Sequence, residues 1–451
     1  MELPDPRYAR AADGAYIAYQ VVGDGPVDIA WQVDGGGCLD VWWELPWVRA
    51  WFEGLASFGR LILHDWRATG LSSRNVPVPN LETRAQDLAV VLDAAGSQSA
   101  VLGGWFESLG PCVLLAATDP ARVRALVWWN PTPRTAWAPD YPWGQGPEEV
   151  AREREAVKHW GTVENARAWA DEMAAILGGP MPQEAIRWWV KKARNTCTPD
   201  VAAELDEIWW QTDTRGILPS VQAPTLLICD DASLGQKPEA EYVASLMPDT
   251  ATVATFPAMG WPSGREEIQR VVLPRLEAVQ RFVGVQPRPA ALETVLSTVL
   301  FTDIVDSTPL QARLGDREWA GLVQRHHAAV RSCLDAWRGY ENDTAGDGFY
   351  ATFDGPARAI HCAHEIRDRV RELGVEIRAG IHTGECELVE GKCAGLAVST
   401  GARIAALAKA SQVLVSQTVK DLVAGSGFAF EDAGEHELKG VPGAWHLYAA
   451  T

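Results

Sequence analysis

The sequence Phe301-Thr302-Asp303-Ile304-Val305-Asp306-Ser307-Thr308 begins as an apolar strand and passes into acidic and hydroxyl side chains. Further along the chain, Gly346-Asp347-Gly348 predicts a tight acidic turn between two apolar stretches. Aspartates that follow neighbouring strands can hold a pair of divalent cations between them. Because Mg²⁺ binds carboxylates and phosphates together, this pattern predicts a domain that works on a nucleoside triphosphate.

The segment that contains these motifs resembles, from about residue 295 to 450, the catalytic domain of class III adenylate/guanylate cyclases. The resemblance extends to Arg378-Ala379-Gly380-Ile381-His382-Thr383-Gly384 and to Leu438-Lys439-Gly440. It implies an α+β cyclase domain with a ferredoxin-like core over residues 297–451.

The resemblance also implies the roles of the residues in the two acidic motifs. Asp303 and Asp347 match the metal-binding positions of the family, and Ile304 would add a backbone carbonyl. Ser307 and Thr308, in the segment that would wrap the terminal phosphates, are implied substrate contacts. Two Mg²⁺ or Mn²⁺ ions per site are therefore expected.

Four further positions match the family's catalytic and purine-binding residues, three of them with changes. Arg403 aligns with the arginine that stabilises charge on the reacting phosphate, whereas Ser399 stands where the family has Asn. Asp343 and Lys392 occupy the purine-selecting positions with their charges exchanged relative to adenylate cyclases. A carboxylate and an ammonium suit the edges of adenine and of guanine alike.

The expected function is therefore that of a nucleotidyl cyclase, with ATP favoured as substrate and GTP as the alternative. A nucleotide-binding regulator with weak or silent cyclase activity is the rival from another class. In the family each site lies across a dimer interface, and this chain carries every element once. The resemblance therefore implies a homodimer with two equivalent sites.

The part of the chain before residue 284 differs in pattern. Apolar runs alternate with helical segments, which predicts a mostly parallel sheet covered by helices. Residues from about 134 to 215 read as inserted cap helices, and the Gly- and Pro-containing stretch 284–296 reads as a linker. The predicted strands include residues 61–63, 100–102, 125–127 and 225–228.

Residues 1–283 resemble the α/β-hydrolase family, on His64-Asp65-Trp66-Arg67-Ala68-Thr69-Gly70-Leu71-Ser72 and on Ala117-Thr118-Asp119-Pro120-Ala121-Arg122-Val123. The family carries a G-x-S-x-G turn with a nucleophilic serine, but the turn here is Gly104-Trp105-Phe106-Glu107-Ser108. A phenyl ring at Phe106 offers no attacking atom.

The partners of the missing nucleophile are also altered. Trp261 aligns best with the expected histidine. Asp230 and Asp231 lie close to the position of the acid, and the register places Ala232 there equally well. Without a nucleophile and a base the triad mechanism cannot run. A hydrolase that uses Ser108 instead is the remaining enzymatic alternative for this half.

Tryptophan is the compositional outlier, with 21 residues that mostly precede residue 290. Aromatic walls bind flat apolar molecules or cations, so we expect this half to be a sensor for a small ligand or a chromophore. The alternative is that the rings simply fill the old pocket. The expected lining residues are Trp31, Trp42, Trp43, Trp66, Trp105, Phe106 and Trp261.

Composition excludes several classes. The chain has 451 residues, 47% hydrophobic residues and a net charge of −19, without a Lys/Arg run. Nucleic-acid and anionic-membrane binding need basic patches, so neither is expected. No window approaches the length of apolar sequence that a membrane helix needs, and the eight cysteines lack zinc-like spacing. We expect a cytoplasmic protein with reduced thiols.

Overall fold

The computed structural model describes residues 4–33, 37–177, 179–231, 236–285, 294–389 and 392–451. The chain divides into two compact units, Met1–Ala291 and Leu292–Thr451. Within the predicted linker, residues 284–285 end a helix and residues 294–296 begin a strand, while residues 286–293 lie outside the described ranges.

The N-terminal unit is built on an eight-stranded sheet with the order β1-β2-β4-β3-β5-β6-β7-β8. The strands from β4 to β8 in this order run parallel, and β1 and β2 are antiparallel additions at one edge. The four apolar runs predicted as strands lie in β4 to β7. The strands are β1 (Arg7–Arg10), β2 (Tyr16–Val22), β3 (Asp28–Gln32), β4 (Arg60–His64), β5 (Ala100–Trp105), β6 (Val123–Trp129), β7 (Thr225–Asp230) and β8 (Ala251–Phe256).

Helices cover this sheet, and a run of four between β6 and β7 interrupts the alternation where a cap was predicted. Local sequence starts several of them: Asn80 caps α3 by accepting a hydrogen bond from Thr83 N at 2.8 Å. The helices are α1 (Leu39–Trp42), α2 (Pro46–Phe58), α3 (Leu81–Ala94), α4 (Gly110–Thr118), the cap helices α5 (Pro147–Val157), α6 (Val163–Leu177), α7 (Gln183–Thr196) and α8 (Pro199–Gln211), then α9 (Gln236–Leu246) and α10 (Arg265–Val285).

The C-terminal unit contains a second sheet with the order β10-β11-β9-β12-β14-β16-β15, and β13 pairs with β12. Its central strand, β9, pairs antiparallel with both β11 and β12. The strands are β9 (Thr294–Ile304), β10 (Tyr340–Ala345), β11 (Gly348–Phe353), β12 (Ile377–Val389), β13 (Lys392–Ala394), β14 (Val413–Ser416), β15 (Phe430–Glu437) and β16 (Ala444–Ala450).

The helices of this unit complete an α+β architecture. Apolar residues of α12 and α13 form the main core with β9, β11 and β12. Among the helices that the structure describes in either unit, none combines the length and apolar character needed to cross a membrane. The helices are α11 (Ser307–Leu314), α12 (Asp316–Ala336), α13 (Pro356–Glu372), α14 (Leu396–Leu407) and α15 (Gln417–Leu422).

Candidate functional site

The two predicted metal aspartates come together at one end of β9. Asp303 is the penultimate residue of β9, and Asp347 lies in the turn between β10 and β11, where Gly346 takes a φ of +64°. The backbone N–H of Ile304 donates to Asp347 Oδ2 at 3.1 Å. The register that pairs Phe349 with Thr302 therefore brings both carboxylates to the same place.

The electrostatics of this pair reflect two neighbouring carboxylates and one partly exposed arginine. Burial and the neighbouring charge of Asp303 raise the pKa of the Asp347 carboxyl above its usual range. Arg378 Nη2 lies 2.7 Å from Asp303 Oδ2, but both side chains are more than a third exposed, so this ion pair is weak. The carboxylates remain accessible to a cation.

The two carboxylates and the carbonyl of Ile304 are oxygen donors of the kind that Mg²⁺ and Mn²⁺ prefer. No group of three or more His, Cys, Asp or Glu side chains within the described ranges could hold a metal by itself. The donor set therefore fits an ion that takes its remaining ligands from water and a bound phosphate, rather than a closed structural site.

Two histidines of α12 form hydrogen bonds with the backbone of the acidic turn. His326 Nε2 lies 3.0 Å from the Asp347 carbonyl oxygen, and His327 Nε2 lies 2.8 Å from the Gly346 carbonyl oxygen. Because a carbonyl only accepts, each imidazole donates from Nε2. Burial lowers the pKa of His326 to about 4, so this ring is neutral near pH 7.

The segment after β9 changes direction within one residue. Asp306 takes a φ of +54°, an uncommon left-handed conformation for a residue other than glycine, and α11 begins at the next residue. Ser307 is half-buried and Thr308 is exposed at the start of this helix. Both predicted phosphate contacts thus follow directly from the strand that bears Asp303.

The strand segments that carry the predicted purine-selecting pair contact each other. Cys393 N donates to Asn342 Oδ1 at 3.4 Å, and the Tyr350 hydroxyl donates to the Cys393 carbonyl at 2.9 Å. Asp343 and Lys392, the neighbours of Asn342 and Cys393 in the sequence, are both exposed.

Helix α14 presents the predicted catalytic pair. Ser399 and Arg403 are exposed and lie four residues apart, so they share one helix face. A Cβ atom on Gly380 would lie 2.1 Å from Ala405 N, so the glycine allows α14 to pack directly on β12. Arg403 Nε donates to the Lys439 carbonyl at 3.1 Å, which ties the helix to the loop before β16.

An open cleft of about 430 Å³ lies at the N-terminus of α14. Its lining includes His382, Leu396, Thr400 and Trp445. Lys392 in β13 precedes this helix by only a few residues.

In the N-terminal unit, the turn after β5 keeps the backbone of a nucleophile elbow. Phe106 takes a φ of +49° between β5 and a short 3₁₀ turn, Phe106–Leu109. Its ring is half-buried and packs against the aromatic core. Ser108 is fully buried, and its hydroxyl donates to the Trp105 carbonyl at 2.5 Å, so it faces away from the elbow tip.

Of the candidates for the acid position, Asp230 is the last residue of β7, Asp231 follows it, and Ala232 lies outside the described residues. Asp230 forms a buried ion pair with Arg275 of α10, and Asn130 Nδ2 lies 3.4 Å from its Oδ2. The carboxylate is therefore neutralised within the core and is not presented to a base.

The predicted pocket residues mostly pack against one another. Trp31, Trp42 and Trp105 are buried, and the rings of Trp31 and Trp42 each contact the ring of Trp105. Trp261 is half-buried at the edge of the same group. Trp43 instead donates to Gln20 Oε1 at 2.9 Å and packs on Phe52. Outside the ring-contact group, Trp66 lies under the Arg84 guanidinium.

The sequence did not single out Arg378, His326, His327, Lys439 or Arg275 as site residues. Arg378 stands in a motif that was quoted, and only the pairing of β12 with β9 shows that it faces Asp303. His326 and His327 carried a weaker signal, because the sequence does not show which element a helical histidine packs against.

Comparisons with known proteins found similar proteins for each of the two units. Residues 291–450 match the family model described as the adenylate and guanylate cyclase catalytic domain. The uncharacterized protein Rv0891c of Mycobacterium tuberculosis is 29% identical over 153 residues, which cover 32% of this chain and 52% of that protein. The receptor-type adenylate cyclase GRESAG 4.1 of Trypanosoma brucei brucei is 28% identical over 134 residues, which cover 20% of this chain and 11% of that protein.

The aligned part thus spans about half the length of the first of these relatives. An esterase from Exiguobacterium antarcticum is similar in structure, with a TM-score of 0.52 and 17% identity. The match covers 62% of this chain and all of that enzyme. At this identity the likeness establishes an α/β-hydrolase fold for the N-terminal unit and nothing about its activity.

Proposed function

Residues 291–450 belong to the adenylate and guanylate cyclase catalytic domain family, and from this premise we propose that the chain converts a nucleoside triphosphate into a cyclic nucleotide and pyrophosphate. We take ATP as the favoured substrate. The observation that carries the proposal is the juxtaposition of Asp303 and Asp347, with a raised pKa on the latter.

The reaction brings the ribose 3′-oxygen onto the α-phosphorus while pyrophosphate leaves. Two Mg²⁺ or Mn²⁺ ions, when bound by Asp303, Asp347 and the Ile304 carbonyl, would neutralise phosphate charge and the developing charge of the attacking and leaving oxygens. His326 and His327 keep the Asp347 turn in place through its backbone carbonyls.

The remaining residues orient the substrate and oppose its negative charge. Ser307 and Thr308 meet the terminal phosphates at the start of α11, and Arg403 stabilises charge on the reacting phosphate. The hydroxyl of Ser399 holds the ribose ring oxygen, less firmly than an amide would. Asp343 and Lys392 face the purine.

We propose that the site is completed by a second copy of this chain. Arg403, Ser399, Asp343 and Lys392 are exposed in one protomer, which leaves them available to a substrate held by the aspartates of another. A symmetric pair of chains would then contain two equivalent sites.

We further propose that the N-terminal unit regulates the cyclase and does not hydrolyse esters. Phe106 occupies the elbow, no histidine stands near Trp261, and Asp230 is neutralised by Arg275. A ligand of this unit regulates the cyclase if it binds one state of the dimer better than another.

GTP is the second candidate substrate, because Asp343 supplies an acidic side chain at the purine-selecting position. Assays of cyclic nucleotide formation from ATP and GTP, each with Mg²⁺ and with Mn²⁺, separate the two. Activity with neither nucleotide, combined with saturable binding of one, would instead identify the chain as a nucleotide-binding regulator.

A further inference from the structure

Cys386 of β12 and Cys393 of β13 lie side by side in the C-terminal unit. The antiparallel register pairs Cys393 with Leu388, which is two positions along β12 from Cys386. Because alternate residues of a strand lie on the same face, the two cysteines are diagonal neighbours on one face of the paired strands. Both pack in one apolar cluster with Val299 and Ala397. Their thiols are within hydrogen-bonding distance of each other.

The two thiols differ in exposure and in protonation. Cys386 is fully buried, whereas Cys393 is half-buried. The hydrogen bond from Cys386, together with one from the Ser297 side chain, outweighs partial burial and lowers the pKa of the Cys393 thiol below its usual range. The same hydrogen bond and burial raise the pKa of Cys386. The pair is therefore a Cys393 thiolate that accepts a hydrogen bond from the Cys386 thiol.

Among the eight cysteines, all of which lie within the described residues, this combination occurs once. Cys393 is the one cysteine that is not buried. At the six cysteines outside the pair, burial is the largest cause of a raised pKa. Cys333 of α12 and Cys362 of α13 are also neighbours, and both are fully buried. They form a second cysteine pair in the same unit that differs from the first in accessibility and in charge.

An accessible thiolate beside a second thiol has a defined chemistry. The thiolate is the nucleophile that attacks an oxidant, and a neighbouring thiol converts the resulting sulfenic acid to a disulfide. The strand that carries Cys393 is only three residues long, and in the described part of the sheet it pairs with β12 alone. The shift of about 2 Å that joins two hydrogen-bonded sulfurs therefore disturbs few backbone hydrogen bonds.

We propose that Cys386 and Cys393 are a modification site, which hydrogen peroxide converts to an intramolecular disulfide. The Cys393 thiolate attacks the peroxide, an S–O bond forms as the O–O bond breaks, and hydroxide leaves. The Cys386 sulfur then attacks the Cys393 sulfur, an S–S bond forms as the S–O bond breaks, and the oxygen leaves as water with the Cys386 proton. Two thiols are oxidised and one peroxide is reduced. The disulfide tethers β13, which begins at Lys392, to β12.

Tryptic mapping of the full chain identifies this bond, because trypsin cleaves after Lys392, between the two cysteines. Cys386 is then the only cysteine of peptide Ala379–Lys392, and Cys393 is the only cysteine of peptide Cys393–Arg403. The reduced chain is treated with hydrogen peroxide, its remaining thiols are alkylated, and the digest is analysed by mass spectrometry. The expected product is these two peptides joined by a disulfide, and non-reducing electrophoresis should show the mass of a single chain.

Cys333 and Cys362 are the internal control, and both should remain open to alkylation once the chain is unfolded. Cys386→Ala removes the hydrogen-bond donor and the second thiol. Cys393 should then stop at the sulfenic acid, which dimedone traps, and should react with peroxide about tenfold more slowly, because its thiolate fraction falls. Cys393→Ala should leave Cys386 unreactive. Cys362→Ala is the matched control variant, because it removes a buried thiol outside the pair, and it should leave the rate at Cys393 unchanged.

Near-UV circular dichroism checks that each variant is folded, and if one is not, the map of the unmodified chain decides. Four results would overturn the proposal: no reaction at Cys393, a Cys386 that stays open to alkylation after Cys393 is oxidised, a disulfide between two chains, or equally fast oxidation of Cys333 and Cys362. Asp347→Ala should form the same disulfide. Because the measurement is the state of the thiols, failure of this proposal and failure of the proposed cyclase function are distinguishable.

Discussion

The elbow after β5 and the bend after β9 share a backbone conformation but carry different side chains. Each ends a strand with a non-glycine residue at positive φ, +49° at Phe106 and +54° at Asp306, and each leads directly into a helical turn. Such conformations persist only where the surrounding structure imposes them. The backbone therefore presents a position, and only the side chains around it decide whether chemistry follows.

The two regions also treat their carboxylates differently. Asp230 in the N-terminal unit is 3% exposed and bound by Arg275, whereas the side chain of Asp303 is 38% exposed. In the C-terminal unit, burial and the neighbouring charge of Asp303 raise the pKa of Asp347. In the C-terminal unit the carboxylates are accessible to a further cation, whereas in the N-terminal unit the carboxylate is already paired with a buried one.

The sharpest test of this contrast removes the accessible charge. Asp347→Ala should lower cyclic nucleotide formation by on the order of a thousandfold or more, because it deletes a ligand of the ions that stabilise the transition state. Asp303→Ala should do the same. Steady-state rates with saturating Mn²⁺ measure the effect.

Asp354→Ala is the matched control, since Asp354 is exposed in the same unit and pairs with Arg358. It should keep wild-type turnover. If Asp347→Ala also kept near-normal turnover, the two-metal assignment would be wrong.

Breaking the buried ion pair of Asp230 and Arg275 should instead lower the stability of the N-terminal unit. Arg275→Met leaves Asp230 buried without its cation and should lower the free energy of unfolding of the N-terminal unit by about 3–5 kcal/mol. Lys191→Met, which loses an exposed ion pair with Glu44, should cost less than about 1 kcal/mol. Denaturant titration measures both losses. Equal losses would show that the buried pair contributes no more to the free energy of unfolding than the exposed pair.

A third test asks whether the exchanged charges face the purine. Asp343→Lys and Lys392→Asp should each reduce kcat/KM by about ten- to a hundredfold, because each leaves one charge without its complement. The double exchange should retain measurable activity or shift the preference between ATP and GTP. If both single variants kept wild-type kinetics with ATP and with GTP, Asp343 and Lys392 would not contact the purine base.

Smaller effects are expected from the elbow. If the N-terminal unit biases the cyclase, Phe106→Ala and Trp261→Ala should change cyclase output by about fivefold, the lower end of allosteric coupling. Trp137→Ala, at a side chain 48% exposed, serves as the control and should leave output unchanged. Rates identical in all three variants would favour a scaffold without regulatory function.

The smallest effect tests the elbow chemistry directly. Phe106→Ser combined with Trp261→His restores a nucleophile and a base in sequence, but Asp230 stays bound to Arg275 and cannot orient the imidazole. We expect p-nitrophenyl acetate hydrolysis no faster than in the unmodified chain. A clear gain in rate would show that the backbone geometry of the elbow suffices for hydrolysis without a free acid to orient the imidazole.

Sequence reasoning succeeded where a pattern is local. The apolar runs at 61–63, 100–102, 125–127 and 225–228 lie in strands, because strand composition and flanking turns are written within a few residues. The meeting of Asp303 and Asp347 was also predictable, since each follows a strand within a recognisable motif.

Interactions set by register and rotamer were not predictable. The pairing of Arg378 with Asp303 depends on how β12 aligns with β9, and the contacts of His326 and His327 depend on where α12 packs. The partner of Asp230 comes from a helix that lies 45 residues further along the chain. Long-range contacts of this kind carry no local signal.

The ion pair of Arg275 and Asp230 adds a requirement to any gain of triad chemistry in the N-terminal unit. A lineage that regained serine at 106 and histidine at 261 would still need to free Asp230, and losing Arg275 alone strands a buried charge. No single substitution on that path brings a catalytic gain, and one brings a loss. Triad chemistry on this fold therefore requires several changes together, and the release of Asp230 from Arg275 is one of them.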